Sequence, residues 1–106
     1  MDKSPTPNTP VIVTFDRHNR NWQDGEGYNY LFLQSQNRYL NDKLKAQGHL
    51  FLNEVFDTLG FSRTSKGALE GWISPGYIEF VMERYEGGDI AIGLTPDGVI
   101  YDKIEG

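Results

Sequence analysis

The sequence predicts an α+β fold: an N-terminal strand, a two-helix hairpin, and a three-stranded antiparallel meander that forms one sheet with the helices on one face. Three observations predict this fold. β-branched residues cluster at positions 11–15, directly after a proline. Residues 30–59 repeat apolar side chains at helical spacing and contain one glycine. Beyond residue 76, three segments rich in strand-forming residues are separated by turn-forming sequences.

The first half of the chain predicts one strand and two helices. The strand covers residues 11–15, and residues 16–27 form a polar loop. The first helix covers residues 30–47, with Asn29 as its N-cap and Gly48 as the left-handed residue that ends it. The second helix covers residues 49–59 and ends at Gly60. Because the connection is short, we expect the two helices to pack as antiparallel neighbours or to cross at a sharp angle.

Residues 77–85, 89–95 and 99–104 predict the strands of the meander. In the first of these, Ile78, Phe80 and Met82 form the inner face, because side chains alternate along a strand. Residues 86–89 and 95–98 are turns, and the order Pro96, Asp97, Gly98 favours a tight one.

The predicted helices carry three apolar surfaces. In the first helix, one stripe faces the sheet and is formed by Leu33, Leu40 and Leu44. A separate stripe contains Phe32 and Tyr39, and packs on the second helix or contacts a partner. That partner is another protein or, in a homodimer, a second copy of the chain. In the second helix, the apolar arc consists of Phe51, Leu52, Val55, Phe56 and Leu59.

Length and composition limit the organisation of the protein. A chain of 106 residues, 38% of them hydrophobic, predicts a single domain, which we assign to residues 11–106. Residues 1–10 contain three prolines and predict an extended arm. Neither a signal peptide nor a membrane-spanning stretch is recognisable, which predicts a cytoplasmic protein without a membrane partner. The chain lacks cysteine, and this excludes disulfides and thiolate chemistry.

Charge and motifs exclude several function classes. The formal net charge of −5 argues against direct binding of nucleic acid, which depends on Lys and Arg. The second helix contains neither residue, so the two-helix spacing does not predict a DNA-reading motif. No nucleotide-binding, hydrolase or calcium-loop motif is present, and we expect no metal, cofactor or catalytic residue. An enzyme that uses His49 with a nearby carboxylate, Glu54 or Asp57, is the remaining catalytic alternative.

The acidic residues are unevenly distributed along the chain. Residues 67–106 contain eight acidic and two basic residues, whereas residues 1–66 contain seven acidic and eight basic ones. We therefore expect an acidic face on the meander that binds a basic partner, which includes the class of nucleic-acid-binding proteins. The predicted partner-binding residues, on this face and on the first helix, are Glu79, Glu83, Tyr85, Glu86, Phe32 and Tyr39.

Two stretches carry a resemblance to known proteins: RYLNDKLKAQGHLFLNEVFDTLG at residues 38–60 and GALEGW at residues 67–72. About a third of the chain thus resembles small uncharacterised proteins of phages, prophages and mobile elements in Gram-positive bacteria. The resemblance implies a protein that acts in the bacterial host and assigns no catalytic residue. The resulting expectation is a non-enzymatic protein-binding module. Its alternative is an anti-defence inhibitor of the anti-CRISPR kind, whose acidic face blocks a basic nucleic-acid groove.

Overall fold

A computed structural model describes residues 10–25 and 27–104. The predicted arm over residues 1–10 lies, apart from Pro10, outside the described residues. The strands are β1 (Val11–Phe15), β2 (His49–Phe51), β3 (Glu70–Ile73), β4 (Val81–Arg84), β5 (Ile90–Leu94) and β6 (Gly98–Val99). The helices are α1 (Tyr28–Gln47), α2 (Leu52–Leu59) and α3 (Tyr101–Ile104), with a 3-10 turn at Lys66–Ala68. The predicted α+β class is confirmed.

The first sheet has the strand order β1-β5-β4 and is antiparallel throughout. The inward side of β5 is its alternate residues Ile90, Ile92 and Leu94, which are buried. Phe15 at the end of β1 lies opposite Ile90 and is buried with them. Alternation of side chains along these strands therefore gives the sheet one buried face and one exposed face.

The second sheet has the strand order β2-β3-β6 and is formed by short strands. Leu50 lies opposite Trp72 across the β2–β3 pair, and both side chains are buried. Gly71 lies opposite Gly98 across the β3–β6 pair. Its backbone also accepts a hydrogen bond from the Asp97 N–H, with a distance of 2.8 Å between the two heavy atoms.

The hydrophobic core joins both sheets to α1 and α2. The predicted stripe of α1 is confirmed, because Leu33, Leu40 and Leu44 are all buried. At its C-terminus, Gly48 has φ 87°, and its N–H donates to the Leu44 carbonyl, so the predicted left-handed end is also confirmed. Gly60 ends α2 in the same conformation.

The prediction of a single sheet with a three-stranded meander is wrong in its last strand and in its sheet count. Residues 81–84 and 90–94 form the predicted antiparallel hairpin, and β1 pairs with it to complete the first sheet. Residues 98–99 instead pair with β3 in the second sheet, and residues 101–104 form α3. This pairing buries Ile100 completely, whose N–H donates to the Leu69 carbonyl at 2.9 Å. Burial of one aliphatic side chain thus overrides the local strand preference.

The second helix also begins later than predicted. Residues 49–51 form β2, because extended backbone at this point places Leu50 against Trp72 in the core. α2 starts at Leu52, where the Glu54 carboxylate accepts a hydrogen bond from the Phe51 N–H at 2.9 Å.

The N-cap of α1 is Gly27 rather than Asn29. Asn29 is buried in the first turn of α1, where its side-chain oxygen accepts from the Gln23 N–H and its amide donates to the Gln23 carbonyl. The Asn29 side chain is therefore hydrogen-bonded to the polar loop before α1 and does not act as the predicted cap.

Candidate functional site

The exposed side of the first sheet is the candidate site. We call it the outer face and define it by Ile12, Thr14, Val81, Glu83, Ala91 and Gly93. Gly93 on the central strand lies between Ile12 on β1 and Val81 on β4. Ile12 is 69% exposed and Val81 is 62% exposed. Two branched aliphatic side chains thus flank a central position that has no side chain.

A second cross-strand row lies beside the first. Ala91 on β5 is paired with Thr14 on one side and with Glu83 on the other. The central strand therefore contributes only glycine and alanine to the outer face. Since α1 and α2 lie on the inward side, where Phe32 of α1 stacks on Phe15, neither helix covers the outer face.

Glu79 is placed next to this face by an unusual set of hydrogen bonds. Residues 77–80, predicted as strand, have irregular structure and pair with side chains of α1. The Ile78 carbonyl accepts from the amides of both Asn37 and Asn41, each at 2.8 Å, and the Ile78 N–H donates to the Asn41 oxygen at 2.7 Å. The Phe80 N–H donates to the Asn37 oxygen. Ile78 and Phe80 are consequently buried as predicted, and Glu79 between them is exposed.

Glu79 and Val81 lie together on the border of the outer face. They line a shallow depression of about 240 Å³ together with Tyr77 and Thr95. The depression extends the outer face toward an exposed aromatic ring, because Tyr77 is itself exposed. Carboxylate, aliphatic and aromatic groups are thereby brought within one small area.

The other predicted acidic residues follow β4 into the next turn. Tyr85 is exposed, and its hydroxyl approaches a carboxylate oxygen of Glu83 at 3.4 Å. Glu86 lies exposed at the turn, which is closed by a hydrogen bond from the Tyr85 N–H to the Asp89 carbonyl at 2.8 Å. The structure therefore brings Glu79, Glu83, Tyr85 and Glu86 to one border of the sheet.

The acidic half of the chain does not place all of its carboxylates there. Asp97 accepts a hydrogen bond from the Ile73 N–H at 2.9 Å, and Glu70 lies 4.0 Å from the Lys66 ammonium group. Glu70 lies in β3 of the second sheet, and Asp97 directly precedes β6 of the same sheet. Among the described acidic residues beyond position 66, the exposed ones that lie in β4 or close to its ends are Glu79, Glu83 and Glu86.

The two predicted partner-binding residues of α1, Phe32 and Tyr39, have different surroundings. Phe32 is half-buried and stacks between Phe15 and Tyr28, with ring centroids 5.9 and 6.4 Å away. It packs against the core. Tyr39 is exposed on α1, away from the outer face.

The groups of the catalytic alternative do not meet in this structure. His49 packs edge-on against Phe51, with ring centroids 5.7 Å apart. The Glu54 carboxylate accepts a hydrogen bond from the Phe51 N–H and lies 3.5 Å from the Lys43 ammonium group. Asp57 is paired with Arg63, and the hydrogen bond from that guanidinium lowers the pKa of Asp57 below its ordinary value. The described residues also contain no cluster of three or more metal-ligating side chains.

Sequence reasoning missed the apolar part of the outer face. Ile12 was assigned to a strand without a face, and Val81 was passed over between the predicted inner residues. The signal that would have placed Ile12 is the pairing of β1 with β5, which no local pattern specifies.

Comparisons with known proteins place the chain in a family. The model of a family of unknown function (DUF6353) matches residues 2–102. No curated protein and no solved structure matches the chain. Within the described residues, none of the helices combines the length and apolar character needed to cross a membrane.

Proposed function

We propose a non-enzymatic, protein-binding function for this chain, which belongs to DUF6353, a family of unknown function whose model spans residues 2–102. The partner docks on the outer face. The observation that carries the proposal is the exposure of Ile12 and Val81 on either side of Gly93. Branched aliphatic side chains on an uncovered sheet face gain free energy when a partner removes them from water.

The partner's chemistry follows from what surrounds these two side chains. Glu79, Glu83 and Glu86 supply negative charge along one border, and Tyr77 and Tyr85 supply exposed rings. A protein surface with a small apolar centre and a basic rim complements this arrangement. The charged border contributes mainly to the association rate and to the choice of partner, while the aliphatic centre contributes to affinity.

A basic rim is also what a nucleic-acid-binding protein presents. We retain as the more specific proposal an anti-defence role, in which the outer face and its acidic border occupy a basic nucleic-acid groove. The likeness of residues 38–60 and 67–72 to phage, prophage and mobile-element proteins supports this role and a place of action in the cytoplasm of a bacterial host. A second copy of the chain is the competing partner.

The test is affinity capture with the purified protein from a lysate of the native host, comparing matched variants. We expect Ile12→Ser with Val81→Ser to lose the captured protein. Leu31→Ser is the matched control, because Leu31 is equally exposed, at 63%, on α1 and away from the outer face. Capture that is equal for the double variant and the wild type would contradict docking at the outer face.

The charge component is tested separately. Replacing Glu79, Glu83 and Glu86 by Lys should slow association strongly at low salt and have a smaller effect at high salt, as measured by surface plasmon resonance with the captured protein. Asp42→Lys, on α1, is the control for a charge reversal away from this border. Size-exclusion chromatography of the wild type and the double variant decides whether the partner is a second copy.

A further inference from the structure

A cavity of about 400 Å³ lies on the inward side of the first sheet, at the end opposite Leu94. Its walls are the loop that leads into α1, the first turn of α1, and the turn after β4. Among the described residues, the side chains of two arginines, three aromatic residues and one carboxylate line it: Arg17, Arg84, Trp22, Tyr30, Tyr85 and Asp24. The residues that define the outer face do not line this cavity, and Tyr85 is the residue that the cavity shares with the acidic border of the proposed protein-binding function.

The arginines are arranged for an anionic group. The Arg84 guanidinium carbon lies 4.3 Å from the centroid of the Tyr30 ring, so one face of the planar group is covered by the ring. Stacking of this kind holds the guanidinium in one orientation and leaves its N–H edge for an acceptor. Among residues 10–25 and 27–104, no carboxylate lies within ion-pair distance of Arg17 or Arg84. Asp24, the carboxylate among the described lining residues, accepts a hydrogen bond from the Trp22 indole N–H at 3.2 Å.

The walls of the cavity are fixed by internal contacts. The buried Asn29 side chain bonds both the N–H and the carbonyl of Gln23, at 3.0 and 2.7 Å, and so anchors the loop before α1. On the opposite wall, Gly87 and Gly88 have φ 96° and 99°, a conformation that side-chain-bearing residues rarely adopt. A β-carbon at Gly88 would lie 3.5 Å from the Trp22 ring, so the ring packs directly on the backbone of the turn. A cavity with such walls is formed before any ligand arrives.

We propose that this cavity binds a small ligand that combines an aromatic ring with an anionic group, either phosphate or carboxylate. The guanidinium groups of Arg17 and Arg84 donate to the anion, because their planar N–H forks match two-oxygen acceptors. The ring of the ligand lies against Trp22 and the tyrosines, with offset or edge-on contacts. The volume lies at the lower end of the range for small-molecule pockets, and this restricts the ligand to about the size of a mononucleotide.

The test is titration of the ¹⁵N-labelled full chain, followed by NMR. The probes are adenosine monophosphate and benzoate, which distinguish phosphate from carboxylate as the anion. Adenosine and inorganic phosphate are controls that carry only the ring or only the charge. We expect the amide signals of Gly25, Gly87 and Gly88, which line the cavity, to shift with at least one probe at millimolar concentration. The signals of Gly48 and Gly76, which lie elsewhere, should stay in place.

Arg17→Gln and Arg84→Gln, tested one at a time, should each weaken binding of the active probe about tenfold, the loss typical of one charge-assisted hydrogen-bonding group. Arg38→Gln removes an exposed arginine of α1 that does not line the cavity and should leave binding unchanged. The absence of shifts with both probes would overturn the proposal. Equal weakening by all three arginine variants would also overturn it, since it would show attraction by net charge alone. Equal shifts with adenosine and adenosine monophosphate would show that the anionic group does not contribute to binding, and would also overturn the proposal.

Discussion

The two sheets have the same number of strands and are stabilised in different ways. In the first sheet, the strands have four and five residues, the alternate residues of the central strand β5 are buried, and neither α1 nor α2 covers the outer face. In the second sheet, the strands have three, four and two residues, and the opposed pair Leu50 and Trp72 is buried on both strands. The first sheet is therefore specified by local alternation, and the second by what its few side chains contact in the core.

The two central glycines give the sharpest form of this comparison. Gly71 and Gly93 both lie in strands, and neither has a positive φ, so alanine is acceptable to the backbone at both positions. A β-carbon at Gly71 would collide with the backbone carbonyl of Leu50 and come within 2.8 Å of the Phe51 α-carbon. A β-carbon at Gly93 would make only ordinary contacts, at 3.7 Å, with Val81.

The largest expected effect is accordingly that of Gly71→Ala. Because the obstructing atoms are backbone, β2 and β3 must separate, and we expect the free energy of unfolding to fall by about 3 kcal/mol. Gly93→Ala should change it by less than about 0.5 kcal/mol. Urea denaturation followed by circular dichroism measures both values. Similar losses for the two variants would show that the two sheets do not differ in packing as described.

An intermediate effect is expected at residues 77–80, whose backbone is hydrogen-bonded to side chains of α1 instead of to a neighbouring strand. Asn41→Asp keeps the oxygen that accepts from the Ile78 N–H but removes the amide that donates to the Ile78 carbonyl. The carbonyl loses one of its two donors and faces a carboxylate, so we expect a loss of about 1–3 kcal/mol in the free energy of unfolding. The matched control is Asp42→Asn, the reverse exchange at an exposed neighbour.

Hydrogen exchange makes this second experiment specific. Exchange of the Ile78 amide should become faster in Asn41→Asp, while the amides of the β1–β5 pair should keep their relative protection. If stability is lost with no selective change at Ile78, residues 77–80 do not depend on the asparagines of α1.

Prediction from sequence succeeded where the relevant contacts are local. β1, the body of α1 with its buried leucines, and the hairpin of β4 and β5 follow from spacing and from turn residues. Residues 77–80 show the limit of this approach: alternation identified Ile78 and Phe80 as buried, but hydrogen bonds to Asn37 and Asn41 replace those of a strand. A pattern of side chains reports burial and not the partner of the backbone.

The sequence was not sufficient to predict the second sheet or the whole of the candidate site. A strand of two or three residues is too short for a period to be recognised, so β2 and β6 were read as a helix and as part of the meander. For the site, Glu79, Glu83, Tyr85 and Glu86 could be placed together because they are near neighbours in the chain. Ile12 joins them only through a pairing across nearly the whole sequence.

The smallest expected effect concerns a surface charge near the second sheet. Arg63 is paired with Asp57 of α2, and if burial rather than charge stabilises this region, Arg63→Gln should lower the urea midpoint only slightly at neutral pH. The pKa of Asp57 is lowered by this hydrogen bond, so the pair stabilises the folded state above the unfolded pKa and loses that contribution as the pH falls through the folded one. The difference in midpoint between wild type and variant should therefore shrink below about pH 4. A difference that is large at neutral pH and vanishes in acid would show that charge supports this half of the molecule to a degree that its packing does not indicate.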